Sequence, residues 1–533
     1  MLEASGRFAI AFNGEIYNYK ELRARLESRG VQFRTQSDTE VLLQAFIADG
    51  AACFEQMDGM FAVAIYDAQT KVLTLARDRA GEKPLYFLNT PDFFAFASEL
   101  RPLLSVPGFA PRISPEALAL YMALRYVPAP LSMIAGIHKL EPGTILQVNA
   151  DGACTKTRFF TFDIDDAAAA RPVDLDAYAE EVEAALQSSL EDRLHSDVPL
   201  GAFLSRGVDS SLICAILAKR MNRTVKTYTV GFADDKESES PAARAIAQTL
   251  GLEHFSYEFG VKDFEDICSK MGGLLDEPNG DRSCVPTYLL SQFTREHVTV
   301  ALSGDGGDEL FAGYGRYLHF LSKNAKVAWP SASAVAQSYF ETALPVFPWQ
   351  AVRETLPDAF SAVPEFTGSF GEIFSHPGRS GLDALRMLDF RSYMPNAVLA
   401  KVDRMSMRHG LEVRTPYLSP QMYALSRRAN ISACVQGGVQ KVVLRRLLSR
   451  YLPAEHVNAK KQGFGMPASV FLNNIERVKR ELTACHAILE QSEFFRARPG
   501  AAKTLIGSSL KNINAIWSLI VLARWIESAG VRL

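Results

Sequence analysis

The stretch Leu200–Ser211, LGAFLSRGVDSS, decides the fold of the larger part of this chain. An apolar strand pattern over Val198–Ser205 runs into a loop of serine and glycine, and an apolar helical pattern over Leu212–Ala218 follows directly. A helix N-terminus presents unpaired backbone N–H groups and the positive end of the helix dipole, which together favour anions. An isolated Asp-Ser-Ser triplet is more often an ordinary N-cap. Its position after an apolar strand favours an anion site here.

The side chains of this loop suit the binding of a phosphate group. Ser205, Ser210 and Ser211 add hydroxyl donors. Gly207 allows the backbone to approach an anion closely, because glycine has no side chain. Asp209 is unsuited to contact with a bare phosphate, since both groups are negatively charged. We therefore expect Asp209 to hold a cation or a backbone turn.

A second loop of this kind, Ser303–Glu309, follows the apolar strand pattern Val298–Ser303 and carries three glycines and three acidic residues. A further strand pattern covers Val225–Phe232, and helical stretches separate the three strands, which predicts a parallel sheet with both faces covered. Open α/β sheets bind ligands at the carboxyl ends of their strands. Glycines and acidic side chains at such an end suit magnesium or base chemistry. An acidic surface turn is the alternative.

The first hundred residues follow a different, α+β pattern dominated by antiparallel strands. An acidic, alanine-rich stretch over Thr161–Asp176 reads as a linker into an amphipathic helix, Ala177–Arg193, and the chain beyond Tyr317 reads as mostly helical. The predicted strands of the N-terminal part are Arg7–Phe12, Met60–Tyr66, Lys71–Ala76, Phe93–Ala97, Gly143–Val148 and Lys156–Phe160, and its predicted helices are Tyr19–Ser28 and Thr39–Ala48.

Composition excludes several classes of protein. The chain has 533 residues, enough for two or three domains, with 48% hydrophobic and 22% charged residues as in ordinary globular proteins. The 57 basic and 60 acidic residues give a net charge of −3, which argues against a nucleic-acid partner. No apolar run is long enough for a membrane span, and the N-terminus lacks the apolar core of a signal peptide. We expect a cytoplasmic enzyme.

The cysteines and histidines show no metal-binding or disulfide pattern. The seven cysteines are scattered and form no CxxC, and the nine histidines form no HExxH. A disulfide framework and a structural zinc site are therefore not expected.

Several segments, in order along the chain, resemble one enzyme family. Ser205–Ser211 resembles the SGGxDSS pyrophosphate loop of ATP pyrophosphatases, and Ala301–Tyr314 is a more specific match. Together with the N-terminal segments, these resemble glutamine-hydrolysing asparagine synthetases over nearly the whole chain, most weakly across Leu321–Leu388. Further matching segments are Leu275–Pro278, Lys401–Met407, Leu411–Pro416 and Lys460–Gly465.

The resemblance implies two domains. Residues 1–160 would form an α+β glutaminase-like domain of the N-terminal-nucleophile type, truncated at its start, and residues 161–176 a linker. Residues 177–533 would form an α/β ATP-pyrophosphatase domain with a parallel sheet and a helical C-terminal part. A homodimer is included among the expected assemblies.

The resemblance also implies a reaction that uses ATP and Mg²⁺. A carboxylate, L-aspartate in the family, attacks the α-phosphorus of ATP and becomes an acyl-adenylate, while pyrophosphate departs onto the Ser205–Ser211 loop. Ammonia then displaces AMP. The implied catalytic residues are Asp305 and Lys460, with Asp209 as a Mg²⁺ ligand, and Asp276, Glu277 and Arg414 would shape the substrate site. The implied ATP- and pyrophosphate-binding residues are Leu204, Ser205, Arg206, Gly207, Asp209, Ser210, Ser211, Val230, Ser303 and Gly304.

Three departures from the family pattern leave the acceptor open. Arg206 replaces the first glycine of SGG, and a guanidinium there could bind pyrophosphate or obstruct the loop. Ser419 replaces a usual aspartate, and Asn396-Ala397 stands where many relatives have acidic residues. The alternatives to aspartate amidation are an amidotransferase acting on a sugar carboxylate in surface-polysaccharide assembly, and a non-catalytic binding protein of the same fold.

Asn13–Asn18 and Ser37–Glu40 resemble the glutamine pocket of N-terminal-nucleophile amidotransferases. The resemblance implies that Asn13 and Gly14 form an oxyanion hole, and that Asp38, helped by Glu15, binds the α-amine of glutamine. The family nucleophile is an N-terminal cysteine whose own amine is the base.

The chain starts Met1-Leu2-Glu3, and its first cysteine is Cys53. We expect a polypeptide of this sequence not to hydrolyse glutamine, either because its start is assigned too late or because the enzyme depends on ammonia. The preserved pocket favours a truncated version of a full enzyme. Glutamine or ammonia remains the expected nitrogen source.

Overall fold

Contacts within the computed structural model divide the chain into two units. The first unit comprises Met1–Ala110 and Pro128–Phe162, and the second comprises Pro111–Val127 and Asp163–Leu533. The structure describes residues 1–165, 169, 171, 173–233, 238–361, 380–459, 464–466, 475–491, 500–509 and 512–530.

The first unit is built on two antiparallel sheets, in the orders β1-β2-β3-β7-β8 and β5-β4-β6. Its strands are β1 Phe8–Ile16, β2 Gly59–Asp67, β3 Val72–Arg77, β4 Tyr86–Asn89, β5 Phe94–Ala97, β6 Ile137–Lys139, β7 Thr144–Val148 and β8 Cys154–Arg158, and its helices are α1 Tyr19–Ser28, α2 Asp38–Asp49 and α3 Leu100–Leu104. A 3₁₀ turn covers Gly50–Gln56. The predicted α+β pattern of this unit is confirmed.

The core of the first unit lies between its larger sheet and the helices α1 and α2. Leu22 and Leu26 on α1 and Leu42 on α2 are almost fully buried against Phe61 of β2. The predicted strands Met60–Tyr66 and Lys71–Ala76 form a hairpin, and Asp67 stabilises its turn by accepting a hydrogen bond from the backbone N–H of Gln69 at 2.9 Å. Apolar periodicity predicted the strands of the larger sheet and the helices α1 and α2, but not the short elements β4, β6 and α3.

The second unit is built on a parallel sheet in the order β11-β10-β9-β12-β13. Its strands are β9 Leu200–Phe203, β10 Lys226–Phe232, β11 His254–Phe259, β12 Val300–Leu302 and β13 Glu412–Arg414, with a separate hairpin of β14 Val435–Gln436 and β15 Val439–Gln440. The predicted strands β9, β10 and β12 are confirmed as the central three. The edge strands β11 and β13 were not predicted, because one is only partly buried and the other has two charged residues among its three.

Helices make up most of the rest of the second unit. They are α4 Pro115–Leu124, α5 Leu175–Arg193, α6 Val208–Ala215, α7 Ser240–Leu250, α8 Val261–Leu274, α9 Cys284–Arg295, α10 Gly307–Leu310, α11 Gly315–Lys323, α12 Ala332–Thr342, α13 Trp349–Thr355, α14 Pro357–Ser361, α15 Gly381–Leu388, α16 Leu399–Met407, α17 Pro420–Arg427, α18 Ile431–Cys434, α19 Val442–Leu448, α20 Ala454–Val457, α21 Ile475–Glu490, α22 Ala501–Ser509 and α23 Ile513–Ala529. Two π-helical segments cover Ile216–Arg220 and Asp389–Val398. None of the described helices is long and apolar enough to cross a membrane.

The division of the chain differs from the predicted boundaries at two places. The segment Pro111–Val127 belongs to the second unit, because every residue of α4 from Ala117 onward is buried and Tyr121 donates a 2.8 Å hydrogen bond to the carbonyl of Ser518. Within the predicted linker 161–176, Ile164 is buried, and Asp165 N donates to the carbonyl of Arg427. These described linker residues therefore pack as part of the second unit.

Candidate active site

The loop after β9 is closed by hydrogen bonds among its own serines. Gly207 N donates to Ser205 Oγ at 3.0 Å, and Ser205 N donates to Ser210 Oγ at 3.1 Å. Ser211 Oγ donates to the carbonyl of Ser205 at 3.1 Å. These bonds hold the loop in one turn ahead of α6, which places the first N–H groups of that helix at the carboxyl end of the sheet. The loop therefore has the form that an anion site needs.

The loop after β12 brings Asp305 to the same end of the sheet. Ser303 Oγ donates a 2.5 Å hydrogen bond to Asp305 Oδ2, which orients the carboxylate. Gly306 follows with φ 93°, a left-handed conformation that favours glycine, and α10 begins at the next residue. The backbone turn and the serine together fix where the Asp305 carboxylate points.

The two loops meet because their strands are neighbours. Strands β9 and β12 pair in parallel, with Leu302 opposite Ala202. A Cβ atom at Gly304 would lie 2.9 Å from both Asp209 Cβ and Ser210 N. Only a residue without a side chain allows this approach, so Gly304 is required for contact between the loops.

Lys441 completes the site, although no sequence motif pointed to it. Its Nζ lies 2.6 Å from Asp308 Oδ1 and also forms an ion pair with Asp209 Oδ2. Lys441 precedes α19 and is 4% exposed. The residue follows a short glycine-containing hairpin, a pattern with no specific functional meaning, so no sequence signal distinguished it from a surface lysine.

The carboxylates of Asp209 and Asp308 fit a magnesium ion. Mg²⁺ prefers oxygen ligands and is commonly bound by one or two carboxylates together with substrate phosphates. Among the described residues, no cluster of three or more His, Cys, Asp or Glu could hold a metal by itself. The two carboxylates therefore suit a metal that also binds a phosphate. Asp308 becomes a candidate metal ligand in addition to the predicted ligand Asp209.

Leu204 directly follows β9, and Val230 lies within β10. Leu204 is 1% exposed, and its N–H donates to the carbonyl of Tyr228 at 2.9 Å. Val230 is 4% exposed, lies on the strand paired with β9 and belongs to the core of the second unit. Both side chains are therefore buried, and their contact with a purine ring stays a prediction.

A buried carboxyl group, Glu309, lies directly behind Asp308. Tyr314 donates a 2.6 Å hydrogen bond to its Oε1. Burial, reinforced by the charge of Asp308, raises the pKa of Glu309 to about 7. Near neutral pH this carboxyl group therefore exists in both protonation states, a few residues from Asp305.

The structure gives several other predicted residues structural partners. Arg404 forms an ion pair with Asp276 at 3.2 Å, and the buried Arg414 contacts Glu412 at 2.6 Å and two backbone carbonyls near the end of α5. Arg414 therefore holds β13 against that helix end. Glu277 directly follows Asp276 in the loop after α8, and its place in the substrate site stays a prediction.

Lys460 and Lys461 lie outside the described residues. Two residues that follow this segment in the sequence have partners. Arg282 Nη1 donates to the carbonyl of Met466 at 2.7 Å, and Phe464 packs against the main core of the second unit.

The predicted glutamine pocket lies in the first unit. Asn13 Nδ2 donates to Ser98 Oγ at 3.1 Å, and Asp38 Oδ2 accepts the N–H of Ile16 at 3.0 Å. Gly14 has φ 152°, and a Cβ atom there would overlap the carbonyl oxygen of Met60. The structure thus brings Asp38 to the end of β1, on which Asn13, Gly14 and Glu15 lie.

Two protein-family models match this chain. A family model described as asparagine synthase matches residues 181–527, and one described as a glutamine amidotransferase domain matches residues 1–160. The chain is 32% identical over 493 residues to asparagine synthetase (glutamine-hydrolyzing) 1 of Bacillus subtilis, which covers 87% of this chain and 77% of that protein. The chain belongs to the asparagine synthase family. It is a ligase of the asparagine synthetase type, a class that forms carbon–nitrogen bonds.

Other members of the asparagine synthase family are similarly close. A putative asparagine synthetase (glutamine-hydrolyzing) of Mycobacterium tuberculosis is 33% identical over 502 residues, covering 87% of this chain and 76% of that protein. Asparagine synthetase B (glutamine-hydrolyzing) of Escherichia coli is 27% identical over 474 residues, covering 85% and 69%.

Two departures from the asparagine synthase pattern have structural explanations. Ser419 is fully buried and caps α17, with its Oγ accepting the N–H of Met422 at 3.3 Å. Serine and aspartate are both preferred N-caps, so the substitution retains this structural role. Asn396 donates a 2.7 Å hydrogen bond to the carbonyl of Ser392 inside the π-helical segment.

Arg206 is the departure that affects the phosphate loop itself. Its guanidinium Nε lies 4.0 Å from Glu239 Oε1, and the two side chains are 21% and 14% exposed. The serine hydrogen bonds of the loop are formed in the presence of this arginine, so Arg206 does not disrupt the fold of the loop.

Proposed function

We propose that this protein uses ATP to activate the side-chain carboxylate of L-aspartate as an acyl-adenylate, which ammonia converts to L-asparagine with release of AMP and pyrophosphate. The observation that carries the proposal is the meeting of the Ser205–Ser211 and Ser303–Asp308 loops around Asp209, Asp308 and Lys441. Such an arrangement offers backbone N–H groups, hydroxyls, one ammonium group and two metal-binding carboxylates to a polyphosphate.

In this proposal the chain acts mainly by positioning the phosphates. Leu204 and Val230 contact the adenine ring, with Ser303 and Gly304 beside it. The N–H groups at the start of α6 and the hydroxyls of Ser205 and Ser210 hold the pyrophosphate that leaves, because fixed donors stabilise charge as it develops. Mg²⁺ held by Asp209 and Asp308 would add positive charge to the phosphates when it is bound.

Asp305 and Lys460 are the proposed catalytic residues. Asp305 is oriented by Ser303, and we propose that its carboxylate faces the acyl group and the α-phosphate and positions the incoming ammonia. Lys460 is proposed from its family motif to stabilise negative charge on the phosphate during adenylation.

The acceptor is proposed to be aspartate. The two departures that favoured a sugar carboxylate have local explanations: Ser419 caps a helix, and Asn396 contacts its own helical segment. The buried charged cluster around Lys441 favours a catalytic protein over a merely structural one.

The nitrogen source is proposed to be glutamine or ammonia. Cys53 is 1% exposed in the core of the first unit, and burial raises the pKa of its thiol to about 12. Cys53 is therefore not proposed as the glutaminase nucleophile. Asn13, Gly14, Glu15 and Asp38 are proposed to bind glutamine.

Pyrophosphate release tests the proposal. The protein would be incubated with ATP, Mg²⁺ and L-aspartate, with either ammonium or glutamine, and both pyrophosphate and asparagine would be measured. We expect stoichiometric pyrophosphate, AMP and asparagine with ammonium, and the glutamate measured in the reaction with glutamine reports whether glutamine is hydrolysed.

Two controls separate the parts of this expectation. Replacement of aspartate by a uronic acid should give no pyrophosphate, and turnover with the uronic acid alone would contradict the proposed acceptor. Asparagine formed with ammonium but not with glutamine would assign ammonia as the nitrogen source while leaving the adenylation proposal intact.

A further inference from the structure

Lys441 occupies the position between the two carboxylates that the proposed metal would use. Its Nζ contacts Asp308 Oδ1 at 2.6 Å and forms a second ion pair with Asp209 Oδ2. An ammonium group at hydrogen-bond distance from both carboxylates fills the space between them. Because the lysine is almost fully buried, its charge is only weakly screened by solvent.

The backbone of Lys441 has an unfavourable, left-handed conformation. Lys441 has φ 54° and ψ 42°, a left-handed conformation that residues other than glycine rarely adopt. On one side Gln440 Nε2 donates to the carbonyl of Ala312 at 3.0 Å, and on the other Arg445 N donates to the carbonyl of Lys441 at 2.9 Å. Strained residues of this kind persist where the surrounding structure dictates them, and they are frequent at functional sites.

Two glycines, Gly307 in the second loop and Gly313 shortly after it, leave space for the lysine and its partners. A Cβ atom at Gly313 would overlap both Lys441 Cε and Asp308 Oδ1, and a Cβ atom at Gly307 would lie 2.6 Å from Asp209 Oδ1. Both glycines have φ values that other residues adopt, so the close approach, and not the backbone conformation, requires glycine here. The contact between Lys441 and the two carboxylates is therefore supported by residues on both sides.

A divalent cation and the Lys441 ammonium group exclude each other from this position. Both need the same carboxylate oxygens, and two cations a few ångströms apart in a buried site repel each other strongly. The phosphates of a nucleotide offer the lysine another anionic partner. When the lysine turns to a phosphate, the oxygens of Asp209 and Asp308 become available to the metal.

We propose that Lys441 is the resident counter-cation of Asp209 and Asp308, and that it keeps a divalent metal out of the site until a bound nucleotide draws the lysine away. The inference rests on the proposed function, since that function supplies the nucleotide. Lys441 is in this sense a positioning residue, which makes metal binding conditional on nucleotide binding.

Direct binding of Mn²⁺, measured by the electron paramagnetic resonance signal of the free ion, tests the inference on the full chain without turnover. The wild-type protein should bind Mn²⁺ weakly alone and more tightly when a non-hydrolysable ATP analogue is present. Lys441→Met should bind Mn²⁺ about tenfold more tightly than wild type without any nucleotide, because the competing cation is gone. Adding Asp308→Asn to Lys441→Met should remove that gain.

The matched control is Lys156→Met, which removes a lysine paired with Glu141 at 2.8 Å on the first unit and should leave Mn²⁺ binding unchanged. Equal Mn²⁺ affinity of Lys441→Met and wild type without nucleotide would overturn the inference. If Lys441→Met does not fold without metal, Lys441→Gln and its thermal unfolding at rising Mg²⁺ replace it: stabilisation of this variant, but not of wild type, by Mg²⁺ alone is expected.

Mn²⁺ binding is measured without turnover, so its outcome and that of the pyrophosphate assay can be interpreted separately. Failure of pyrophosphate release with an intact Mn²⁺ effect would remove the proposed function and retain the exchange of lysine for metal. Normal pyrophosphate release with no Mn²⁺ effect would retain the function and remove the inference.

Discussion

In the second unit, Asp209, Asp308 and Lys441 come from three distant segments and contact one another through charged side chains. In the first unit, Asn13 and Gly14 lie on one strand, and Asp38 reaches the end of that strand by accepting a backbone N–H. A site of local backbone groups is visible in a sequence motif, whereas a site of charged side chains from distant segments appears only when the sheet is assembled. Variants at both sites should separate a requirement for backbone geometry from a requirement for charged side chains.

The largest effect should come from Asp305. Replacing it with alanine removes the oriented carboxylate between the two loops, and we expect pyrophosphate release to fall about 10³-fold, equivalent to roughly 4 kcal/mol. Steady-state pyrophosphate assays measure the loss. Glu296→Ala, at an exposed position after α9, is the control and should retain full activity. An Asp305→Ala variant with nearly normal turnover would show that the candidate active site of the second unit works without the Asp305 carboxylate.

Gly14→Ala should cause the next largest effect, and it tests the backbone character of the first site. A Cβ atom there would overlap Met60 O and lie 2.8 Å from Phe61 Cα, so we expect the first unit to lose about 3 kcal/mol of stability. Hydrogen exchange of the β1 and β2 amides reports this loss. Gly30→Ala is the matched control, since Gly30 has φ 88° but no atom within 4 Å of the added Cβ. Similar destabilisation by both variants would mean that backbone strain, and not the close strand contact, determines the requirement.

Arg206→Gly should have a smaller effect on the activity of the candidate active site in the second unit. We expect the KM for ATP to rise about tenfold with a smaller change in kcat, because a charge-assisted contact to the phosphates is lost. Arg206→Lys keeps the charge and should lie between the two. A gain in activity for Arg206→Gly would indicate instead that the arginine obstructs the loop.

Ser419→Ala should give the smallest effect. The loss of the α17 N-cap should cost about 1 kcal/mol of unfolding free energy without changing the KM for aspartate. Ser114→Ala, which removes the equivalent cap of α4 in the same unit, is the matched control. Chemical denaturation and acceptor kinetics measure both quantities. A change in the KM for aspartate in Ser419→Ala alone would assign that serine to the acceptor site.

Most of the fold could be predicted from local patterns. Helix α1 has the predicted bounds, and the three central strands of the parallel sheet lie inside the predicted ranges. The edge strand β13 was missed because two of its three residues, Glu412 and Arg414, are charged, so no apolar run indicates it. Helix α4 was not predicted as an element, and its hydrogen bond from Tyr121 to Ser518 is a contact between distant segments that no local pattern shows.

The candidate site was predictable where a motif is continuous in the chain. Ser205–Ser211 and Ser303–Asp308 each combine a strand, a glycine-containing turn and a helix start, so their chemistry follows from neighbouring residues. Lys441 has no such neighbours. Its role depends on the glycines that make room for it and on two carboxylates more than a hundred residues earlier in the chain.

Local sequence was therefore sufficient for the strand-loop-helix elements and for the family to which the chain belongs, because backbone hydrogen bonding and side-chain periodicity act over a few residues. The pairing of β9 with β12, and the meeting of Lys441 with Asp209 and Asp308, were decided by the tertiary structure. Charge–charge contacts at 2.6 Å require three segments to be placed together, and only the packing of the sheet and its helices determines that placement.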